Sequence, residues 1–174
     1  MSKHKRALLI IDMLNDFLLP GASLQVPAAR RIIPNIAREV AAARAEGVPI
    51  VYICDHHAPN DPEFAQWPPH AVAGTPGADV IKELAPQPGD VIVPKTTLSG
   101  FYRTDLEARL KELDVESVTV TGVLTDICVY WIAGEAALRG WKPEIPRDCV
   151  AALTEEDHAT ALRQVQRLFG AKIR

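Results

Sequence analysis

The sequence predicts a three-layer α/β/α sandwich around a mainly parallel central sheet of about five to six strands. Two observations carry this. Short β-branched apolar runs of strand length recur along the chain, and longer stretches with helical spacing lie between them. The runs are apolar throughout rather than alternating, as expected of parallel strands covered on both faces and joined by right-handed crossovers.

In order, Ala7–Ile11 is the first strand, and Asp12 ends it. The basic stretch Met1-Ser2-Lys3-His4-Lys5-Arg6 imitates the head of a secretory signal. The five apolar residues behind it fall short of the roughly 7–15 of a secretory core or the about 20 of a membrane span. A cytoplasmic protein is expected. Ala28–Glu46 is Ala-rich and helical, stopping at Gly47, with Pro34 opening or kinking it. Val48–Cys54 is the second strand, followed by a long polar stretch from Asp55 to about Gly77, and Val91–Val93 is the third. Thr104–Leu113 places Leu106, Leu110 and Leu113 on one helical face, and Val118–Thr121 is the fourth strand. Ile127–Leu138 is apolar almost all round, as expected of a helix pressed between the sheet and a partner subunit, so a homo-oligomer is expected. Trp141–Arg147 is the last strand candidate, and Pro143 and Pro146 confine it to a sheet edge. Ala159–Phe169 gathers Leu162, Val165, Leu168 and Phe169 on one face of a final helix.

At 174 residues the chain is one domain, 1–174. Nineteen basic against 22 acidic residues give a net charge of −3 with no block of like charge. That excludes the electrostatic footprint of a nucleic-acid or anionic-membrane binder and leaves a small molecule as the expected partner. Three widely spaced cysteines, Cys54, Cys128 and Cys149, make neither a disulfide framework nor a Cys-rich zinc site. Cys54 and Cys149 read as buried filler.

In an open parallel sheet the ligand crevice lies beyond the carboxyl ends of the strands. The residues there are chemically reactive: Asp12, then Asp55-His56-His57, then Lys95, then Gly122 through Cys128. Cys128 is the nucleophile candidate. Thr125 or Asp126 can cap the following helix and set Cys128 in its first turn, where the helix field and an adjacent cation favour thiolate. Asp12 can accept the thiol proton, and Lys95, stiffened by Pro94, can bind both the carboxylate and developing charge. Singly each has a bland reading: a small buried hydrophobe, a loop-capping carboxylate, a surface amine. Asp55, His57 and His70 suit a zinc-, iron- or manganese-type ion with open positions, or else belong to a polar loop that happens to hold several histidines. His56 and His158 read as solvated. Trp67, beside Pro68 and Pro69, is either local core or a wall stacked on a planar ligand, and Phe17 has the same two readings.

Several segments together resemble a known family. They are Ile11-Asp12-Met13-Leu14-Asn15-Asp16-Phe17, Asp55-His56-His57, Trp67-Pro68-Pro69-His70 with its tail Gly74-Thr75-Pro76-Gly77, Lys95 with Ser99-Gly100-Phe101 and Thr104-Asp105-Leu106, and Thr121 through Val129. Over nearly its whole length the chain resembles the cysteine amidohydrolases of the isochorismatase-like superfamily, most of all the nicotinamidases. The resemblance implies hydrolysis of nicotinamide to nicotinate and ammonia, with Asp12, Lys95 and Cys128 as catalytic triad. It implies Asp55, His57 and His70 as ligands of a divalent metal, zinc, iron or manganese. It also implies a cis peptide at Val123–Leu124, an oxyanion hole from the backbone N–H groups of Leu124 and Cys128, and a substrate site of Phe17, Trp67, Val123 and Leu124 in which the two aromatics sandwich the pyridine ring. Leu14, Thr97-Leu98, Trp131-Ile132 and Gly134-Glu135 differ from the family's usual residues. Another small carboxamide or a carbamoyl compound is the alternative substrate.

Overall fold

Seven parallel strands form one sheet in the computed structural model, which describes residues 5–174; the signal-like head at Met1–His4 lies outside the described residues. The strands are β1 (Arg6–Ile11), β2 (Ile50–Asp55), β3 (Val91–Lys95), β4 (Ser117–Val123), β5 (Lys142–Ile145), β6 (Val150–Ala151) and β7 (Lys172–Ile173). Their order is β3-β2-β1-β4-β5-β7, with β6 alongside the far end of β4. The count exceeds the expected five to six through the two-residue β6 and β7. The helices are α1 (Asn15–Leu18), α2 (Ala29–Glu46), α3 (Leu106–Glu112), α4 (Tyr130–Leu138) and α5 (Glu155–Phe169).

Alternate residues of a strand point to opposite faces, and here both faces are apolar because both are covered. Ala7, Leu9 and Ile11 of β1 join Leu106 and Leu110 of α3, Ile132 and Ala136 of α4 and Leu162 and Val165 of α5 in one core. Leu8 and Ile10 join Ile32, Ile33, Ile36 and Ala43 of α2 in the other. The three layers follow.

Helix α2 closes at Gly47 as expected, where a φ of 70° permits the left-handed cap, and it runs through Pro34 in its second turn, so Pro34 does not open it. Two other boundaries depart from the sequence reading. Helix α5 begins at Glu155 because the Thr154 side chain accepts the Asp157 N–H at 3.0 Å; its acidic first turn carries no apolar signal. Strand β5 is not an edge strand, since it lies between β4 and β7. Its pairing with β7 starts only at Glu144, so Pro143 stands clear of that neighbour and its missing donor costs no bond there.

The order of connections reverses at β1, so the carboxyl ends of β1 and β4 open the crevice of a doubly wound sheet. Register aligns Ile11 with both Ile53 and Gly122, and Asp55 with Lys95. Gly122 has a φ of 110°, and a Cβ there would collide with the Ile11 carbonyl, so glycine allows β4 to close on β1 at the rim.

Candidate active site

Three strand ends and one turn converge on a single point. Asp12 leaves β1 with a φ of 51°, its N–H held by Ile53 O at 2.9 Å. Its Oδ1 accepts the Asp55 N–H at 2.8 Å, which fixes the carboxylate against the end of β2. Lys95, wholly buried at the end of β3, places Nζ 2.8 Å from Asp12 Oδ2 and in direct contact with Asp55 Oδ1. The same ammonium stands 3.5 Å from Cys128 Sγ. The expected amine therefore stands within reach of both the expected carboxylate and the expected sulfur.

One cation serves two buried carboxylates, and the asymmetry between them is informative. Burial, reinforced by the charge of Asp55, pushes Asp12 up to about 6 in spite of Lys95. Burial opposes ionisation of Asp55 as well, yet Lys95 with His57 and His70 outweighs it and holds that carboxyl far below the usual range. Lys95 is also disfavoured by burial, but the carboxylates keep it well above its ordinary value. Asp12 is thus a carboxylate near neutrality in its proton affinity, suited to act as a base.

The sulfur differs from expectation. Neither Thr125 nor Asp126 caps a helix here. Thr125–Val129 form a π-helical turn that opens at Leu124, where Ile127 and Val129 N–H both reach Leu124 O at 3.1 Å, and α4 begins only at Tyr130. Such turns often mark functional sites. Cys128 is partly accessible at the rim, but burial of its surroundings pushes the thiol well above its usual value, with Lys95 only partly offsetting it. These surroundings favour the thiol over the thiolate. The Thr125 hydroxyl instead faces His158 Nδ1 at 3.0 Å, so His158 is a buried partner of the Cys128 turn and not a solvated histidine; the earlier start of α5 brings it there.

Asp55, His57 and His70 also assemble, their donor atoms all within 4.8 Å of one another. Asp55 Oδ2 is 3.8 Å from His57 Nε2 and 3.7 Å from His70 Nε2. His70 Nδ1 lies 2.7 Å from Pro68 O; a carbonyl can only accept, so Nδ1 carries a proton and Nε2 is the ring atom turned toward Asp55. His57 is wholly buried, and neither ring nitrogen has an aligned hydrogen-bond partner, although Asp61 Oδ2 stands 3.1 Å from Nδ1. Burial disfavours a charged His57, yet Asp55 and Asp61 raise it to about 9: the carboxylates favour positive charge at this point. A buried imidazole left unpartnered beside a carboxylate and a second imidazole fits a divalent cation.

The polar stretch also supplies residues that the sequence reading does not single out. Asp61 caps a 3₁₀ turn, Pro62–Ala65, by accepting the Glu63 N–H at 2.9 Å. Asp61 and Glu63 form a second donor group with His57. Phe64 packs 5.4 Å from the His57 ring and 5.6 Å from that of His70. The Asp-Pro-Glu capping pattern was the available signal. Phe17 is buried 5.5 Å from the His70 ring, whereas Trp67 is 36% exposed and so is not local core. Val123 and Leu124 meet in a cis peptide; Val123 is buried in the α2-side core and Leu124 packs against it. His56 is exposed. Cys54 and Cys149 are buried, and burial pushes both thiols up, Cys149 to about 12.

Comparison with known proteins gives a consistent result. The isochorismatase domain family matches residues 6–174. A pyrazinamidase/nicotinamidase from Streptococcus mutans superposes with a TM-score of 0.92 at 35% identity, over 97% of this chain and 99% of that one. The pyrazinamidase of Pyrococcus horikoshii in complex with zinc gives 0.91 at 32%, over 98% of each. The N-carbamoylsarcosine amidase of Thermoplasma acidophilum gives 0.89 at 32%, over 97% of this chain and 95% of that one.

Proposed function

The chain belongs to the isochorismatase family of hydrolases, and on that premise we propose that it is a cysteine amidohydrolase of nicotinamidase type, converting nicotinamide to nicotinate and ammonia. The observation that carries the reading is the Lys95 ammonium, 2.8 Å from Asp12 and 3.5 Å from Cys128, beside a histidine set suited to a cation.

Asp12 takes the proton of Cys128, and the sulfur attacks the carboxamide carbon. Lys95 holds Asp12 in place and stabilises charge as the proton leaves. The backbone N–H groups of Leu124 and Cys128 receive the oxyanion, an arrangement worth about 3 kcal/mol per donor. The tetrahedral intermediate collapses, the C–N bond breaks, and Asp12 returns its proton to the departing ammonia. Asp12 then deprotonates a water that attacks the Cys128 thioester, releasing nicotinate and the thiol. Phe17 and Trp67 flank the pyridine ring, with Val123 and Leu124 on the nucleophile side. A divalent ion of zinc, iron or manganese type, held by Asp55, His57 and His70, would supply substrate orientation and polarisation.

Among the described residues no helix is long and apolar enough to cross a membrane. A small amide is the proposed partner and the cytoplasm the proposed location. A homo-oligomer also belongs to this reading, since α4 leaves Trp131 and Leu138, seven residues apart on one face, exposed.

A second reading keeps the triad and changes the substrate to an N-carbamoyl compound. Its support is Leu98, exposed on the loop after Lys95, together with the carbamoylsarcosine amidase likeness. Ammonia release from nicotinamide, pyrazinamide and N-carbamoyl amino acids, each with and without chelator, decides between them. The proposal expects chelator-sensitive release from nicotinamide. Turnover of a carbamoyl substrate with nicotinamide inert would replace it with the second reading.

A further inference from the structure

Ala71 is the node of the histidine loop. It is fully buried with a φ of 45°, a left-handed conformation that costs energy for a residue with a Cβ. Its carbonyl accepts the His57 N–H at 3.0 Å, the Ala73 N–H closes the bridge on His57 O at 2.8 Å, and its own neighbour in the chain is His70. The backbones of both candidate ligand histidines are therefore tied to this one residue.

What holds Ala71 itself is a side chain from elsewhere. Asp16 Oδ2 accepts the Ala71 N–H at 2.8 Å, a charge-assisted bond across 55 residues of sequence. Asp16 lies on α1, four residues beyond Asp12, so the strut ties the segment carrying the base to the loop carrying the histidines. Gly77 packs against it so closely that a Cβ there would overlap the Asp16 carboxylate. Asn15 reinforces the clamp, its Nδ2 donating to Pro76 O at 2.7 Å and its N–H to Asp79 O at 2.9 Å.

We propose that Asp16 is a positioning residue for the metal site, setting His57 and His70 through the Ala71 peptide without touching ion or substrate. The inference rests on the metal-binding part of the proposed function. Residues one shell beyond a ligand typically change metal affinity about 10- to 100-fold when lost.

The test is zinc affinity by competition with a chromophoric chelator, and the absorption spectrum of the cobalt-loaded protein, in wild type, Asp16→Ala, Asp16→Asn, Gly77→Ala and His57→Ala. Asp16→Asn keeps a carbonyl acceptor for the Ala71 N–H. Gly77→Ala displaces the carboxylate without removing it and guards against a failure of Asp16→Ala to fold. The expected result is an affinity loss of about tenfold or more with an altered cobalt spectrum in Asp16→Ala and Gly77→Ala, and near wild-type behaviour in Asp16→Asn. Wild-type affinity and spectrum in both Asp16→Ala and Gly77→Ala, with His57→Ala impaired, would overturn the Asp16 role alone. A His57→Ala protein that binds metal as wild type does would overturn the metal reading and this inference with it.

Discussion

The triad and the histidine set meet where Lys95 contacts Asp55 and lie side by side, but they are held in place by different means. Asp12, Asp55 and Lys95 stand at the ends of β1, β2 and β3, in register with neighbours buried on both faces of the sheet. Moving any of them means unpairing a strand. His57 and His70 sit in a stretch with little regular structure, fixed by the Ala71 bridge, by Asp16, and by single bonds such as Ile81 N–H to Met13 O at 2.9 Å. One rim is thus built by two kinds of support, and the loop should lose its geometry while the fold survives. The strand-end groups should not.

The sharpest division between the two regions is expected from Cys128→Ala. It should lower ammonia release by about a thousandfold or more while zinc affinity stays within about twofold, because a nucleophile acts as a unit with its base. Lys95→Met should come next. It leaves Asp12 and Asp55 buried together without their cation, and urea unfolding of the metal-free protein should show a loss of about 3 kcal/mol or more. A cost below about 1 kcal/mol would break the picture of a sheet-locked charge cluster.

Zinc itself should act on the loop side. At a hundredfold excess over Kd it should stabilise the fold by about 2.7 kcal/mol, reversibly with chelator, equally in Cys128→Ala and not in His57→Ala. A pH profile probes the strand side. Asp12 is a base only when ionised, and burial with Asp55 raises it to about 6, so kcat/KM should fall about tenfold per unit below that point. The stability linkage has the opposite sign: the folded value exceeds the ordinary 3.8, so this group favours the fold most below 3.8 and loses that contribution as pH rises through about 6. The smallest effect is expected far from both regions. Thr154→Ala removes the α5 cap and should cost about 1 kcal/mol in unfolding, leaving turnover unchanged.

The strand-end residues were legible in the sequence because a parallel strand announces itself as an apolar run, and the first reactive residue beyond it is where the crevice must be. Asp12, Asp55 and Lys95 followed from that rule alone. Asp61, Glu63 and Phe64 did not, since a polar stretch without periodicity gives no indication of which side chains turn inward. The π-helical turn was hidden by Thr125-Asp126, which have the chemistry of a cap but face His158 or lie unpartnered. His158 itself was hidden by three acidic residues, Glu155, Glu156 and Asp157, that carry α5 back a turn before its apolar face begins. Asp16 is invisible for a further reason: its partner is a backbone N–H, and a backbone group leaves no mark on the sequence.

The most direct measurement is acid quenching of the zinc-loaded protein during turnover of nicotinamide, followed by peptide mass spectrometry. A nicotinoyl thioester on the peptide carrying Cys128, absent in Cys128→Ala, is the predicted result. Sustained ammonia release from Cys128→Ala with no acyl adduct in either protein would contradict it.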